Sequence, residues 1–399
     1  MTLFTIATFN VKNLIGPDQE YYQYMTYTPE EYAWKQDWMA NQIFSMDADI
    51  IGFQEIFTQD ALENVLEAAD DIGQQSNDAV LPTRDKSYRK KAIFRKLGYT
   101  PYADAGLAFA PNANDTGTPG QRRPGLAILS RFGFAEPPEI IQVLDTPLHI
   151  PLSDLGGGDA GHYTVTRLSR PIQKARIPIK GQIVTVFNCH LKSKLGEYVK
   201  PAAADFAPEA DLTQYDAAGR AMGSLRAALR RMAEAWVLRR EILAELEQGR
   251  PVMVLGDFND AEHAVSSEII SGEAPFRNYS WMLRHDAQDR NDRYSKSDAA
   301  KIRTSVLERQ LTSAEKFFVR KSLRDMVYTA AFGGVYESLD QIYMSHHFHP
   351  DNAQRIGEME YLSVFNDHLT DGSHPEAPYN KLASDHGQIM AHMKLGTPE

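Results

Sequence analysis

The residues that could do chemistry sit where short apolar runs stop. Val252 to Leu255 reads as a buried strand, Gly256 frees the backbone, and Asp257 and Asn259 follow. Residues two apart in an extended chain share a side, so a carboxylate and a carboxamide leave this strand end together. Hard oxygen ligands and a hydrogen-bond donor aimed at one point suit a divalent cation and a phosphate. An ordinary Asx turn uses the same residue types, and alone the stretch fits that turn best. Other strand ends repeat the pattern. Asn10 closes Leu3–Phe9, Gln54-Glu55 follow Asp49–Phe53, and His190 follows Ile183–Asn188. Asp340 lies in Leu339–Ser345, and Asp385-His386 lie in Ser384–Met390. Polar groups that end buried strands are costly unless paired or used. Singly, Glu55 could start a helix, His190 could be a satisfied core histidine and Asp340 a surface residue. Their recurrence at strand ends is hard to attribute to turns.

The elements that must position them read as follows. Thr28-Pro29-Glu30-Glu31 starts a helix with a capping box and Pro at the first helical position. It runs to about Met46, with Tyr32, Met39, Ile43 and Met46 near one face. Residues 58–72 and 87–97 read as helical. Residues 111–124 form a Pro/Gly/Asn loop before the strand Gly125–Ser130. Residues 151–161, with Gly156-Gly157-Gly158, read as a plain flexible loop: the Walker pattern is missing and no apolar strand precedes them. Strands follow at Gln173–Ile179 and Ile183–Asn188, then a loop over 195–216. One long helix spans about Asp216 to Glu247, with Leu225, Leu229, Met232, Trp236, Leu243 and Leu246 at helical spacing. Its arginines (226, 230, 231, 239 and 240) read as a solvated face rather than a nucleic-acid stripe. Residues 266–322 read as a polar insertion, helical around 298–322 and without clear strands. Many short apolar strands with few intervening helices imply packed sheets with helices outside, an α/β or α+β sandwich.

At 399 residues, 43% hydrophobic and 24% charged, the composition is that of a soluble globular chain with a large core. The net charge of −11 argues against a wholly basic nucleic-acid platform, though not against a local basic rim. The single cysteine, Cys189, permits no intramolecular disulfide, which favours a reducing compartment. Alternation places it opposite His190, as a buried small residue rather than a nucleophile. With no signal peptide or apolar run of membrane-spanning length, the expectation is a cytoplasmic monomer without membrane insertion.

Together these residues resemble the endonuclease/exonuclease/phosphatase superfamily, the deoxyribonuclease I-like fold. The resemblance rests on Phe9-Asn10, Gln54-Glu55, Gly125–Arg131, Asn188–Lys194, Gly256–Asn259, Leu339–Ile342 and Ser384–His386, in family order from residue 3 to about 393. It implies a four-layer sandwich, two packed mixed β-sheets flanked by helices, as one domain over 1–399 with the insertion at about 266–322. It also implies phosphoester hydrolysis by an activated water with Mg²⁺ or Mn²⁺. By position, Glu55 is then the principal metal ligand with Asn10 beside it, and Asp385 is a further ligand, for a second ion. His386 is the general base, or a phosphate contact, oriented by Asp340. Asp257 and Asn259 position the water and bind the scissile phosphate. His190 binds a phosphate oxygen or protonates the leaving oxygen.

A histidine at 190 resembles the deoxyribonuclease I, sphingomyelinase and inositol-phosphatase branches more than the abasic-site repair branch. His190 to Lys194 and the Arg-rich helix are most similar to bacterial extracellular-type nucleases, although those carry signal peptides and often disulfides. The leading expectation is a phosphodiesterase acting on nucleic acid, DNA first, endo- or exonucleolytic. Its basic contacts would be Arg122, Arg123, Arg170, Lys192 and Lys194. The alternative is a phosphatase or phosphodiesterase for a small phosphorylated molecule or lipid head group, which the acidic balance keeps open. A non-catalytic binding protein on the same fold would require eroded positions, and none is eroded. Tyr21, Tyr22, Tyr24 and Tyr27 could stack on bases, but loop aromatics packed on the sheet fit better.

Overall fold

Two strand–helix–strand units set up the architecture. In the first, β1 (Thr2–Leu14), α1 (Pro29–Met46) and β2 (Ile50–Ile56) give a parallel strand pair with a helical crossover. The structure is a computed structural model that describes residues 2–22, 25–78, 98–153, 159–273, 294–321, 327–371 and 382–396. After β2 come α2 (Gln59–Asp78), β3 (Gly106–Ala110), β4 (Gly125–Ser130), β5 (Glu139–Ser153) and β6 (Asp159–Ile179). The second unit is β7 (Gln182–His190), α3 (Ala217–Glu247) and β8 (Val252–Asp257), again a parallel pair. There follow α4 (Val265–Ser271), α5 (Lys296–Arg309), β9 (Leu311–Ser313), α6 (Ala314–Lys321), β10 (Ala330–Phe332) and β11 (Val335–Glu337). The chain ends in β12 (Asp340–Ser345), β13 (Gly357–Phe365) and β14 (Gln388–Leu395).

The strands form two mixed six-stranded sheets, β13-β14-β1-β2-β4-β3 and β5-β6-β7-β8-β12-β9, with β10-β11 a separate hairpin. Strand alternation sorts the apolar residues into three layers. Ala7, Phe9, Ile51 and Phe53 face α1 and α2; Phe187, Val252 and Val254 face α3 and α4. Phe4, Ile6, Ile50, Val184, Val186, Met253, Leu255, Ile342 and Met344 fill the space between the sheets. Helix, sheet, sheet, helix is the four-layer sandwich expected. Gly52 permits the close approach of the sheets, since a Cβ there would lie 2.0 Å from a Leu255 methyl.

The same parity places the site. Even-numbered residues of β1 and β7 face the inter-sheet layer, as do odd-numbered residues of β8 and even-numbered residues of β12. Continued toward the strand ends, this brings Asn10, His190, Asp257 and Asp340 to one edge of that layer. Thr8, Gln54 and Asn188 lie one step deeper as a buried polar floor. Gln54 donates to Asn188 Oδ1 at 2.7 Å and accepts from Thr8 at 3.2 Å, and Asn188 donates to the carbonyls of Phe53 and Ala127.

Several elements differ from the sequence reading. Strands β5 and β6 form one long hairpin, so 151–153 and 159–161 are strand rather than loop; the glycine run and the helix read at 87–97 fall outside the described residues. Strands β3 and β13 and the β10-β11 hairpin are further strands that the sequence reading does not contain. The segment 266–322 contains a strand after all: β9 pairs with β12, and Phe317 and Phe318 of α6 enter the inter-sheet core. Leu225 and Trp236 of α3 are exposed, whereas Ala227, Ala235, Leu238 and Ile242 are buried. The packing face of this helix mixes alanines with Val237, Leu238, Ile242 and Leu246. Its arginines are paired rather than freely solvated: Arg226 with Glu209, Arg231 with Asp260, and the buried Arg239 with the carbonyls of Ile270 and Ser271. Tyr21 and Tyr27 are buried and pack with Phe57, and Cys189 is buried in the α3 layer. Among the described residues no helix is long and apolar enough to cross a membrane.

Candidate active site

At the β7–β8–β12 edge, register fixes the site's dry half. His190 pairs with Asp257 across the parallel ladder, and Asp257 pairs with Asp340 across the antiparallel one. Gly256 allows this geometry. Its φ is 141°, and a Cβ there would meet the Cys189 carbonyl oxygen at 1.9 Å. Asp257 is almost wholly buried. Its Oδ1 accepts from the Asn259 backbone N–H at 2.7 Å, and its Oδ2 accepts from Asn10 Nδ2 at 3.0 Å and from Asn259 Nδ2 at 3.3 Å. The same Oδ2 lies 3.2 Å from His190 Nε2 and 3.8 Å from His386 Nε2. Asn259 takes a left-handed conformation, φ 51°, which turns its amide back onto the Leu191 carbonyl at 3.0 Å.

His386 hydrogen-bonds Asp340 Oδ2 through Nδ1 at 2.8 Å. Its backbone N–H donates to Ser384 Oγ, which in turn donates to the Asn10 carbonyl at 2.7 Å. The loop carrying the histidine is thereby tied to β1.

The wet half lies at β1 and β2. Both strands bulge where their pairing shifts, between Asn10 and Leu14 and beside Glu55. Lys12, Asn13 and Glu55 all have positive φ. A non-glycine residue in that region costs about 1–2 kcal/mol, strain of the kind found where function fixes the backbone. At Glu55 it breaks the alternation that would have sent the carboxylate toward the helices. Glu55 Oε2 accepts from the Asn13 N–H at 3.0 Å, while Oε1 lies 3.4 Å from Asn10 Nδ2 and 3.9 Å from His190 Nε2. Its side chain is 17% exposed, against 1% for Asp257.

The electrostatics follow the same division. Burial pushes the Asp257 carboxyl above the usual carboxylate range, helped by Asp340 and Glu55 and opposed by His386 and the Asn259 N–H. Burial would lower His386, but Asp340 and Asp257 outweigh it and raise its affinity for a proton. Burial, with Arg170 and His386 nearby, lowers His190 well below the ordinary histidine value, so it is neutral. With Nδ1 unpartnered, its proton belongs on Nε2, facing Asp257. Two donor sets could take a cation. Glu55 offers carboxylate oxygens at the open end, the preference of a hard divalent ion, while the buried Asn10 beside it turns Nδ2 toward Glu55 and accepts from the Lys12 N–H on Oδ1 at 3.0 Å. Ligand atoms of Asp257, Asp340 and His386 lie within 4.8 Å of one another. In that second set the histidine Nδ1 is already hydrogen-bonded to Asp340 Oδ2 at 2.8 Å.

The other expected residues divide. Arg170, half-buried, donates to the Leu191 carbonyl; with Arg123 it acts on the Tyr22 hydroxyl, which burial and Glu55 push up to about 12. Arg122 is half-buried and Arg123 exposed. Lys192 and Lys194 are not brought to the site as phosphate contacts. Lys192 Nζ donates to the Leu195 carbonyl at 2.9 Å, and Lys194 pairs with Glu337 at 3.0 Å and lies 3.8 Å from Asp260. Asp385 has a half-exposed carboxylate that lies 3.7 Å from Lys12 Nζ. Sequence reasoning missed Thr8 of the floor, although its even spacing with Ile6 and Asn10 carried the signal. It also missed Tyr22 as a neighbour of Glu55.

The sequence profile of the Endonuclease/Exonuclease/phosphatase family matches residues 7–386. No curated protein matches the chain. Similar solved structures include an endonuclease/exonuclease/phosphatase family protein from Bacteroides thetaiotaomicron (13% identity, 98% of this chain and 95% of that one, TM-score 0.45). Truncated Caenorhabditis elegans TDP2 is 13% identical over 98% of this chain and 97% of that one, with TM-score 0.44. The Bacteroides thetaiotaomicron mannosyl-6-phosphatase is 12% identical over 98% of this chain and all (100%) of that one, with TM-score 0.44.

Proposed function

This chain belongs to the endonuclease/exonuclease/phosphatase family, and on that premise we propose that it is a divalent-metal-dependent phosphodiesterase that cleaves nucleic acid, DNA by preference. Members of the family are phosphoester hydrolases, generally dependent on a divalent metal. The observation that carries the reading is the Asp340–His386 pair at 2.8 Å, at the same edge as the Glu55 carboxylate. His386, once neutral, takes the proton of the attacking water on Nε2 while Asp340 holds Nδ1. Asp257 and the Asn259 amide orient that water and a phosphate oxygen. His190, neutral and with its proton on Nε2, donates a hydrogen bond to the phosphate; its depressed proton affinity suits binding better than protonation of the leaving oxygen. Glu55, with Asn10 beside it, would hold Mg²⁺ or Mn²⁺, which when bound supplies charge to offset that developing on the phosphate.

Arg123 and Arg170 near Tyr22 support a polyanionic substrate. A second reading, a small phosphoester, is favoured by the internal engagement of Lys192 and Lys194. It also gains from a cavity of about 340 Å³ beside His386, lined by Ala330, Ala331, Phe332 and Leu339. The deciding experiment is an activity panel with Mg²⁺ or Mn²⁺: plasmid, single-stranded DNA, RNA, inositol phosphates and sphingomyelin. Turnover of DNA is expected. Turnover of the small phosphoesters alone would replace the nuclease reading with the second one.

A further inference from the structure

Helix α1 carries one side chain that neither the core nor the site above accounts for. Lys35 has no exposed surface, on a helix face otherwise built of Tyr32, Met39, Ala40, Ile43 and Met46. A buried ammonium is costly unless its hydrogen bonds are made, and burial beside Lys12 holds this one down to about 7. Its Nζ donates to the Val11 carbonyl at 2.9 Å and to the Leu382 carbonyl at 3.1 Å. It also lies 5.6 Å from the centre of the Tyr27 ring. Tyr27 in turn donates its hydroxyl to the Asn13 carbonyl at 3.1 Å, on the same bulge.

The two carbonyls are far apart in sequence and adjoin opposite halves of the site. Val11 follows Asn10 on the β1 bulge. Leu382 opens the segment that places Ser384, Asp385 and His386. A methionine in place of Lys35 would fill the space and save the desolvation cost, so packing alone does not explain the lysine.

We propose that Lys35 is a positioning residue. It clamps the β1 bulge to the 382–386 segment and so fixes His386 relative to Asn10 and Glu55. The clamp acts beside two further ties across the same seam, Ser384 Oγ to the Asn10 carbonyl and Lys12 to Asp385. The inference rests on the hydrolase reading only for its kinetic readout.

The test is Lys35→Met in the full chain, read by steady-state kinetics on a DNA substrate with Mg²⁺, by thermal midpoint and by amide hydrogen exchange. Expected are a fall in kcat of at least about 10-fold with KM within about 3-fold, since orientation of the base is lost and substrate contacts are kept. Amides of residues 383–387 should exchange at least about 10-fold faster, with protection of β7 and β8 unchanged. A lower thermal midpoint with kcat per folded molecule within 2-fold would overturn the proposal, because Lys35 would then only stabilise the fold. Should Lys35→Met not fold, Lys35→Gln carries the same test: its amide is one bond too short to hold both carbonyls, and the same changes are expected at smaller size. If wild type hydrolyses no phosphoester, the functional reading fails while hydrogen exchange still decides the clamp; unchanged protection at 383–387 would refute it.

Discussion

The β1-α1-β2 and β7-α3-β8 units are built alike and end differently. Each is a parallel strand pair with a helical crossover, and each delivers polar side chains to the same edge of the inter-sheet layer. The first unit ends in bulges, with Lys12, Asn13 and Glu55 in left-handed backbone and Glu55 partly in water. The second keeps its ladder to the last residue, His190 opposite Asp257, both sealed from solvent. One half of the site is strained and wet, which suits an oxygen-ligated cation that keeps some of its waters. The other is regular and dry, where burial and neighbouring charges displace proton affinities. The contrast shows how one edge of a sandwich can hold charge and move protons a few ångströms apart.

The largest test of this division removes one group from each half. His386→Ala and Glu55→Ala should each lower turnover by at least about 10², the low end for losing a general base. The two should part in a Mg²⁺ titration: the half-saturating concentration rises for Glu55→Ala and stays put for His386→Ala. A shift of equal size in both would dissolve the division.

The dry half makes a pH prediction. His386 acts as a base only when neutral, and Asp340 and Asp257 raise its proton affinity. Log kcat should therefore climb with pH through a value above 6.5 and level off beyond it. Asp340→Asn removes the charge that raises it most, so the climb should move to lower pH while the plateau falls about 10-fold or more. A pH–rate profile that keeps its midpoint in the variant would remove Asp340 from this role.

Smaller effects sharpen where substrate approaches. Arg170→Ala should raise KM several-fold with kcat nearly unchanged, and reduce the salt slope of DNA binding by about 1. Lys194→Ala, its charge already engaged by Glu337 and Asp260, should change KM less than about 2-fold. The reverse order, measured by salt-dependent binding, would restore Lys194 as a phosphate contact.

The smallest expected effect concerns strain. Glycine in a strand is ordinarily less stable than alanine by about 0.5–1 kcal/mol. At position 55, φ is 66° and the order should invert: Glu55→Gly should be at least as stable as Glu55→Ala in urea denaturation, though both are inactive. A clear deficit for the glycine variant would mean that Glu55 is not strained.

Most of the site's membership was legible because it is local. A polar residue at the end of an apolar run announces itself, and alternation already aimed His190 away from Cys189. The sandwich was legible too, since runs such as Ile183–Asn188 and Val252–Leu255 need cover on both faces. Beyond the sequence lay everything that depends on which strands meet. Register across β7, β8 and β12 sets the His190–Asp257–Asp340 row, and no single strand encodes it. The left-handed turn at Glu55 reverses the side that alternation assigns, an effect of pairing shifts on both neighbours of β2. Lys194 looked like a phosphate ligand near His190, yet the distant Glu337 pairs with it. Nothing local to the helix singles out Lys35, whose partner carbonyl at Leu382 lies 347 residues away. Sequence by itself determined which residue types stand at the strand ends, because burial pattern and turn chemistry act over a few residues. Tertiary structure alone decided which of them share protons, which are spent on structure and which face water, because those outcomes depend on distances between segments far apart in the chain.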